Sequence, residues 1–299
     1  VREGVGSVMR KRLIFFFWCI MLLFPASARA EVQQTEIVPA VTAEAAVVMD
    51  LDTGEVLYGK CEHERRPPAS LTKVMTGYLL LKQLELQQTV TVSREAAATG
   101  ESSLNLKSGD RLTVENLLHG ALMKSANDAC VALAEKAAGS EAAFAQQMNL
   151  QACILGCSNT NFCNSNGLPA ENHYSSAYDL AVMTRAAMQQ EVFAEIVQKQ
   201  QYRVKWTDGR QLMVRNTNRL LREYPGAIGV KTGTTNEAGQ CLIAVAEKAG
   251  KRIIVVVLKS KNRFYDAVAL LDYGLSAERK SGILNSIREN ESRQLSASA

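Results

Sequence analysis

The chain has 299 residues, 47% of them hydrophobic and 21% charged, with six prolines. That composition excludes a disordered or fibrous protein and leaves room for a sizeable core. Its +4 charge lies in residues 1–30, which hold five Lys/Arg and one Glu; the remainder carries 29 of each sign, so no basic excess points to nucleic acid or anionic lipid.

Met9-Arg10-Lys11-Arg12 is a basic run, residues 13–24 are apolar, and Pro25-Ala26-Ser27-Ala28-Arg29-Ala30 supplies an A-x-A cleavage site. Residues 1–30 therefore read as a secretory signal peptide, with Met9 a candidate start. The apolar run is shorter than the roughly 20 residues of a spanning helix. Export places the expected location in the periplasm, cell envelope or extracellular space. It also permits disulfides among Cys61, Cys130, Cys153, Cys157, Cys163 and Cys241. His63, His119 and His173 show no metal-ligand spacing, so no metal or other cofactor is expected.

Residues 45–49 and 55–58 flank Asp52-Thr53-Gly54 and predict a hairpin. From Ser70, helical spacing of Val74, Met75, Tyr78, Leu79 and Leu81 predicts a helix to about Leu84. Thr113 caps the next, with Leu112 and Leu117 as a hydrophobic staple. Asn127 or Asp128 opens a helix ending near Gly139, and Ser140 caps one that stops at Gly156. Ser176-x-x-Asp179 has the form of a capping box and opens a helix to about Gln190. Strands return at 202–206 and 211–215, then as an edge strand at Ile228-Gly229-Val230, then as a hairpin at 241–246 and 252–258. A helix over 263–275 closes the pattern, and 279–299 is a polar tail. The expected class is α+β: an antiparallel sheet packed with helices, with a mainly helical region at about 70–190 inserted. Residues 31–278 would form one catalytic domain with a cleft where the two regions meet.

Three short motifs fall on the walls of that cleft. In PPASLTK, residues 67–73, Ser70 after two prolines suits a helix N-cap. A capping box would place Glu or Gln three residues on, yet Lys73 stands there, facing the positive end of the dipole. An apolar setting and the dipole both push an amine toward its neutral form, and the i, i+3 spacing puts it beside Ser70. That is a nucleophile with its own base. Ser125-Ala126-Asn127 lies between two helices and alone is ordinary junction chemistry. Lys231-Thr232-Gly233-Thr234 follows the edge strand, where glycine admits a ligand backbone and lysine brings positive charge. S-x-x-K, S-x-N and K-T-G in this order occur together in β-lactamases and penicillin-binding proteins.

With PPASLTKVMT, ENLLHGALMKSANDACVALAE, MNLQACILGCSNTNFCNSNGLP, NTNRLLREYPGAIGVKTGTT and LLDYGL, the chain resembles the serine D-alanyl-D-alanine carboxypeptidases. These are low-molecular-mass penicillin-binding proteins, and the likeness covers nearly everything after residue 30. It implies a β-lactamase/penicillin-binding-protein transpeptidase-like fold. It also implies a hydrolase that removes the terminal D-alanine from peptidoglycan stem pentapeptides, in cell-wall maturation and cell shape, and that β-lactams acylate. By the same resemblance Ser70 forms the acyl-enzyme, Lys73 takes its proton, and Ser125 relays a proton to the leaving amine. Asn127 holds Lys73 and the substrate amide. Lys231 keeps the site positive, Thr232 bonds the substrate carboxylate, and Arg263 is a second contact. Gly233 lies between Thr232 and Thr234, and the N–H groups of Ser70 and Thr234 form an oxyanion hole.

Two features depart from the family. Longer members continue into a β-rich domain and an amphipathic anchor, whereas RKSGILNSIRENESRQ has no strong apolar face, so no membrane anchor is expected after signal removal. Ala126 stands where glycine is common. Two alternatives compete. A class A β-lactamase would need a Glu-x-x-Leu-Asn segment before Lys231, which Glu171-Asn172 does not match. A non-catalytic wall-binding protein on the same fold would not need every catalytic position filled. Cys130, five residues after Ser125, reads as a small core residue near the cleft.

Overall fold

The computed structural model describes residues 38–276, so the leader and tail readings lie outside the described residues. The expected first hairpin is β1 (Ala45–Asp50) with β2 (Val56–Lys60). A 3-10 turn, Ala69–Thr72, runs into α1 (Lys73–Gln83). The ribbon of β3 (Thr89–Thr91) and β4 (Arg111–Thr113) encloses α2 (Arg94–Ala98). Then come α3 (Val114–Met123), α4 (Asn127–Ala138), α5 (Glu141–Ile154), α6 (Ala177–Met188) and α7 (Glu191–Gln198). A second ribbon, β5 (Gln201–Lys205) with β6 (Gln211–Arg215), precedes the single turn α8 (Leu220–Glu223). β7 (Ala227–Thr235), β8 (Gly239–Lys248), β9 (Lys251–Ser260) and α9 (Arg263–Ser276) follow.

The caps form as the sequence dictates. Hydroxyls of Thr113, Ser140 and Ser176 accept the N–H groups of Asn116, Ala143 and Asp179. The capping box at Ser176 does not close, however. The Asp179 carboxylate accepts instead from the Asn159 N–H and the Thr160 hydroxyl, both at 2.8 Å. A neighbouring loop outcompetes the local partner. Gly139 ends α4 in the left-handed conformation. The six cysteines among the described residues are free thiols.

Five strands form one antiparallel sheet in the order β2-β1-β9-β8-β7. Central β9 is buried on both faces from Ile253 to Leu258, so helices cover the sheet on both sides. Its alternation divides two cores. Ile254, Val256 and Leu258 join the helical block, with Val47, Met49, Ile243 and Val245. Ile253, Val255 and Val257 pack with Ala46, Val48 and Leu242 on Ala267, Leu270 and Leu271 of α9. Each Val, Leu, Ile or Met among them contributes about 1.5–3 kcal/mol by burial, so the platform behind the free edge β7 is stiff. On the other side of the cleft, α1 is buried almost all round: Lys73, Val74, Met75, Thr76, Gly77, Leu79 and Leu80 are inaccessible. A helix buried all round sits inside a core, and its first residue here is a lysine.

Candidate active site

The chain enters α1 through a bend, and this corrects the expectation that Ser70 caps the helix. Neither the 3-10 turn nor α1 has a side-chain cap at its N-terminus. The Ser70 hydroxyl lies 2.9 Å from Lys73 Nζ instead, with Ser70 partly exposed. The bend is Ala69, held at φ 49, a costly conformation for a residue with a Cβ. Two neighbours hold it. The Thr72 hydroxyl donates to the Ala69 carbonyl at 2.9 Å and lies 2.9 Å from His173 Nε2. His173 Nδ1 accepts the Cys163 N–H at 3.1 Å, so the ring proton is on Nε2 and is donated to Thr72. Burial pulls the His173 pKa down to about 4, which keeps the ring neutral.

The second brace is Gly167, in the left-handed region at φ +84. A Cβ there would stand 1.9 Å from the Ala69 carbonyl oxygen. Gly167→Ala therefore cannot keep the turn where it is. The expected result is a loss of about 1–3 kcal/mol of stability, read by thermal or denaturant unfolding. An unchanged unfolding midpoint would show that the loop does not brace the turn.

Lys73 Nζ has three neighbours: Ser70 Oγ at 2.9 Å, Asn127 Oδ1 at 2.7 Å and the Asn166 carbonyl at 2.6 Å. Two of these are carbonyl-type oxygens that only accept. A neutral amine has two N–H groups and one lone pair, so the carbonyls take both protons and the lone pair is left for the Ser70 O–H. Burial pulls the Lys73 pKa down to about 8, against the opposing charges of Glu101, Asp128 and Glu141. The base is thus prepared by geometry and by desolvation together.

Each carbonyl is aimed by its own support. Asn127 Nδ2 donates to the Gly100 carbonyl at 3.0 Å, which turns Oδ1 toward Lys73. Asp128 holds that adjoining loop by accepting from the Ser103 hydroxyl and the Leu104 and Leu106 N–H groups. Asn166 is fixed through Glu141, which accepts from the Ser165 N–H, the Ser165 hydroxyl and Asn166 Nδ2. The Ser165 carbonyl accepts from Thr76 on α1 at 2.6 Å. Ser125, at φ 68 and 8% exposed, heads the same α4 segment, and its side chain makes no hydrogen bond to any described residue.

Edge strand β7 closes the site. Lys231 is 1% exposed, and its Nζ donates to the Thr232 carbonyl at 2.9 Å. Burial, then repulsion from the Lys73 charge, holds its pKa well below the ordinary lysine value. Neither lysine has an ion pair among the described residues, so the pocket is short of negative charge. A Cβ on Gly233 would lie 3.1 Å from both the Ser70 nitrogen and Ala69 Cβ. The glycine thus makes room first for the nucleophile turn. Arg263 Nη1 donates to the Gly233 carbonyl at 2.9 Å and to the Thr234 hydroxyl at 2.7 Å. Cys130 is fully buried with its thiol pushed up to about 11, the state of an inert core residue.

Ser70, Lys73 and Asn127 are thus hydrogen-bonded directly, Gly233 abuts Ser70, and Ser125, Lys231, Thr232 and Thr234 flank them in the same segments. Sequence reasoning missed the Asn166 carbonyl, Gly167 and His173. Asn166-Gly167 is a turn signal that could have marked a bend there, though not its neighbour.

The profile of the family described as D-alanyl-D-alanine carboxypeptidase matches residues 31–262. The chain is 40% identical over 242 residues to the D-alanyl-D-alanine carboxypeptidase DacF of Bacillus subtilis, which covers 78% of this chain and 62% of that one. It is 34% identical over 266 residues to DacB2 of Mycobacterium tuberculosis, covering 86% of this chain and 91% of that one. The Streptomyces K15 DD-transpeptidase crystal structure, 34% identical, aligns with a TM-score of 0.77 over 80% of this chain and 99% of that one. The chain therefore spans less than two thirds of the length of the Bacillus relative.

Proposed function

The chain belongs to the D-alanyl-D-alanine carboxypeptidase family, the low-molecular-mass penicillin-binding proteins, and from that membership we propose that it removes the terminal D-alanine from peptidoglycan stem pentapeptides. The observation that carries the reading is the Lys73 amine, whose two carbonyl partners leave its lone pair to Ser70. Ser70 Oγ attacks the carbonyl of the penultimate D-alanine while Lys73 takes the hydroxyl proton. The N–H groups of Ser70 and Thr234 receive the developing oxyanion, a contribution of about 2.7–4 kcal/mol for one such donor. Ser125 passes a proton to the departing D-alanine amine as the C–N bond breaks. Water then cleaves the ester on Ser70. Asn127 orients the substrate amide, and Lys231, Thr232 and Arg263 receive the terminal carboxylate. A β-lactam enters the same path and stays on the serine as a slowly hydrolysed ester.

The substrate lies outside the cytoplasm, and residues 1–30 would deliver the chain there as a signal peptide, to the periplasm or envelope. Residues 31–278 would be the catalytic domain and 279–299 a polar tail. Among the described residues no helix is long and apolar enough to cross a membrane.

Incubating the protein with fluorescent penicillin, and separately with a peptide ending in D-Ala-D-Ala, tests the reading. The expected result is covalent label and released D-alanine, with both lost in Ser70→Ala. Label that survives Ser70→Ala would assign the wrong nucleophile, and a wild-type protein that neither labels nor releases D-alanine would sink the proposal.

A further inference from the structure

Between the second and third motifs, Asn216-Thr217-Asn218 forms a built feature that the mechanism above does not use. Both asparagines are buried, at 4% and 0% exposure, and act as struts. Asn216 Nδ2 donates to the carbonyls of Val197 and Lys199, each at 3.1 Å. Asn218 Nδ2 donates to the Gly229 carbonyl on β7 at 2.8 Å. The Thr217 N–H donates to the Met123 carbonyl at the end of α3, two residues before Ser125. Pinned to both walls of the cleft, this segment presents one exposed side chain, Thr217. Its hydroxyl lies 2.6 Å from the Thr232 hydroxyl.

We propose that Thr217 is a positioning residue for the substrate carboxylate, acting through Thr232. The inference rests on the carboxypeptidase reading. A hydroxyl has one proton, and a carboxylate only accepts. Once Thr232 donates its proton to a bound carboxylate, Thr217 has to be the donor in the 2.6 Å pair. The order is then Thr217 O–H to Thr232 Oγ, and Thr232 O–H to the carboxylate. Each donor in such a chain polarises the next, so Thr217 strengthens and orients the bond Thr232 makes. The rigid main chain around Thr217 gives that donor a fixed place.

The effect is largest for ligands with a free terminal carboxylate, whose charge makes the strongest acceptor for Thr232. On Ser70→Ala protein, which holds peptide without turning it over, Thr217→Val is expected to raise the calorimetric Kd of an acid-ended D-Ala-D-Ala peptide about fivefold, the weight of one hydrogen bond. Thr217→Ser restores the original Kd. The same peptide ending in a carboxamide, a neutral and weaker acceptor for Thr232, shows a smaller loss, and Thr217→Val adds no loss where Thr232 is already valine. An unchanged or lowered Kd for the acid peptide, equal losses for acid and amide, no rescue by serine, or no peptide binding at all would each overturn the proposal. Failure of the carboxypeptidase reading shows separately, as wild-type protein that releases no D-alanine.

Discussion

Lys73→Ala is expected to slow acylation of Ser70 by about 10²–10⁴-fold, the range for losing a positioned general base, in a protein that still folds. The physical reason is that Ser70 Oγ has one side-chain partner among the described residues, the Lys73 amine, and that acceptor is prepared for the task. Asn127 and Asn166 occupy both N–H groups of the neutral amine, so no rearrangement is needed when the serine proton moves. Because burial lowers the lysine to about 8, about a tenth of it is the free base at pH 7, against a few parts in ten thousand for an ordinary lysine. The sign of the pH dependence follows. Deprotonation activates, so on the acid side of pH 8 the penicillin acylation rate should rise about tenfold per unit. Lys73→Arg should not rescue the rate, since a guanidinium does not give up its proton. Alanine leaves the Asn127 and Asn166 oxygens without their donor, so Lys73→Met, which fills more of the space, serves as a second variant with thermal unfolding as the control. Normal penicillin labelling in either would refute the assignment of the base.

What the sequence disclosed about this site follows from how local each interaction is. Thr113, Ser140 and Ser176 cap helices through N–H groups three residues away, and all three were legible. The same reasoning misled at Asp179, where Asn159 and Thr160, far along the chain, took the carboxylate. It misled again at Ser70, whose hydroxyl is drawn to an amine that α1 presents rather than to the backbone. Lys73 was legible as an anomaly, because a cation at a helix start is unfavourable on its own. Its third partner was not legible, since a main-chain carbonyl such as that of Asn166 carries no residue-type signal. The hairpin of β8 and β9 was legible from its two continuous apolar runs, whereas the three-residue strands β3 and β4 and the short helix α7 are set by packing rather than by pattern.

Lys231→Ala should cost mainly capture of the substrate, with kcat/KM for an acid-ended peptide falling about 10²–10³-fold, and should change the pH profile in a way no other substitution does. Lys231 and Lys73 are both buried without an anionic partner among the described residues, and the charge of Lys73 depresses Lys231 further. A lowered lysine gives up its proton sooner as pH rises, so the positive charge that attracts the carboxylate fades on the alkaline side. A bound carboxylate opposes that loss, because it stabilises the ammonium form. Acylation therefore needs opposite states of two neighbouring amines, Lys73 free of its proton and Lys231 holding one. The expected kcat/KM profile is bell-shaped, because activity needs Lys73 without its proton and Lys231 with its own. Lys231→Ala should keep the rising limb and lose the falling one. A carboxamide peptide should likewise show only the rising limb on the wild-type protein, since it has no charge for Lys231 to meet. An alkaline limb that persists in Lys231→Ala would mean that some other group loses the proton, and would remove Lys231 from the recognition of the carboxylate.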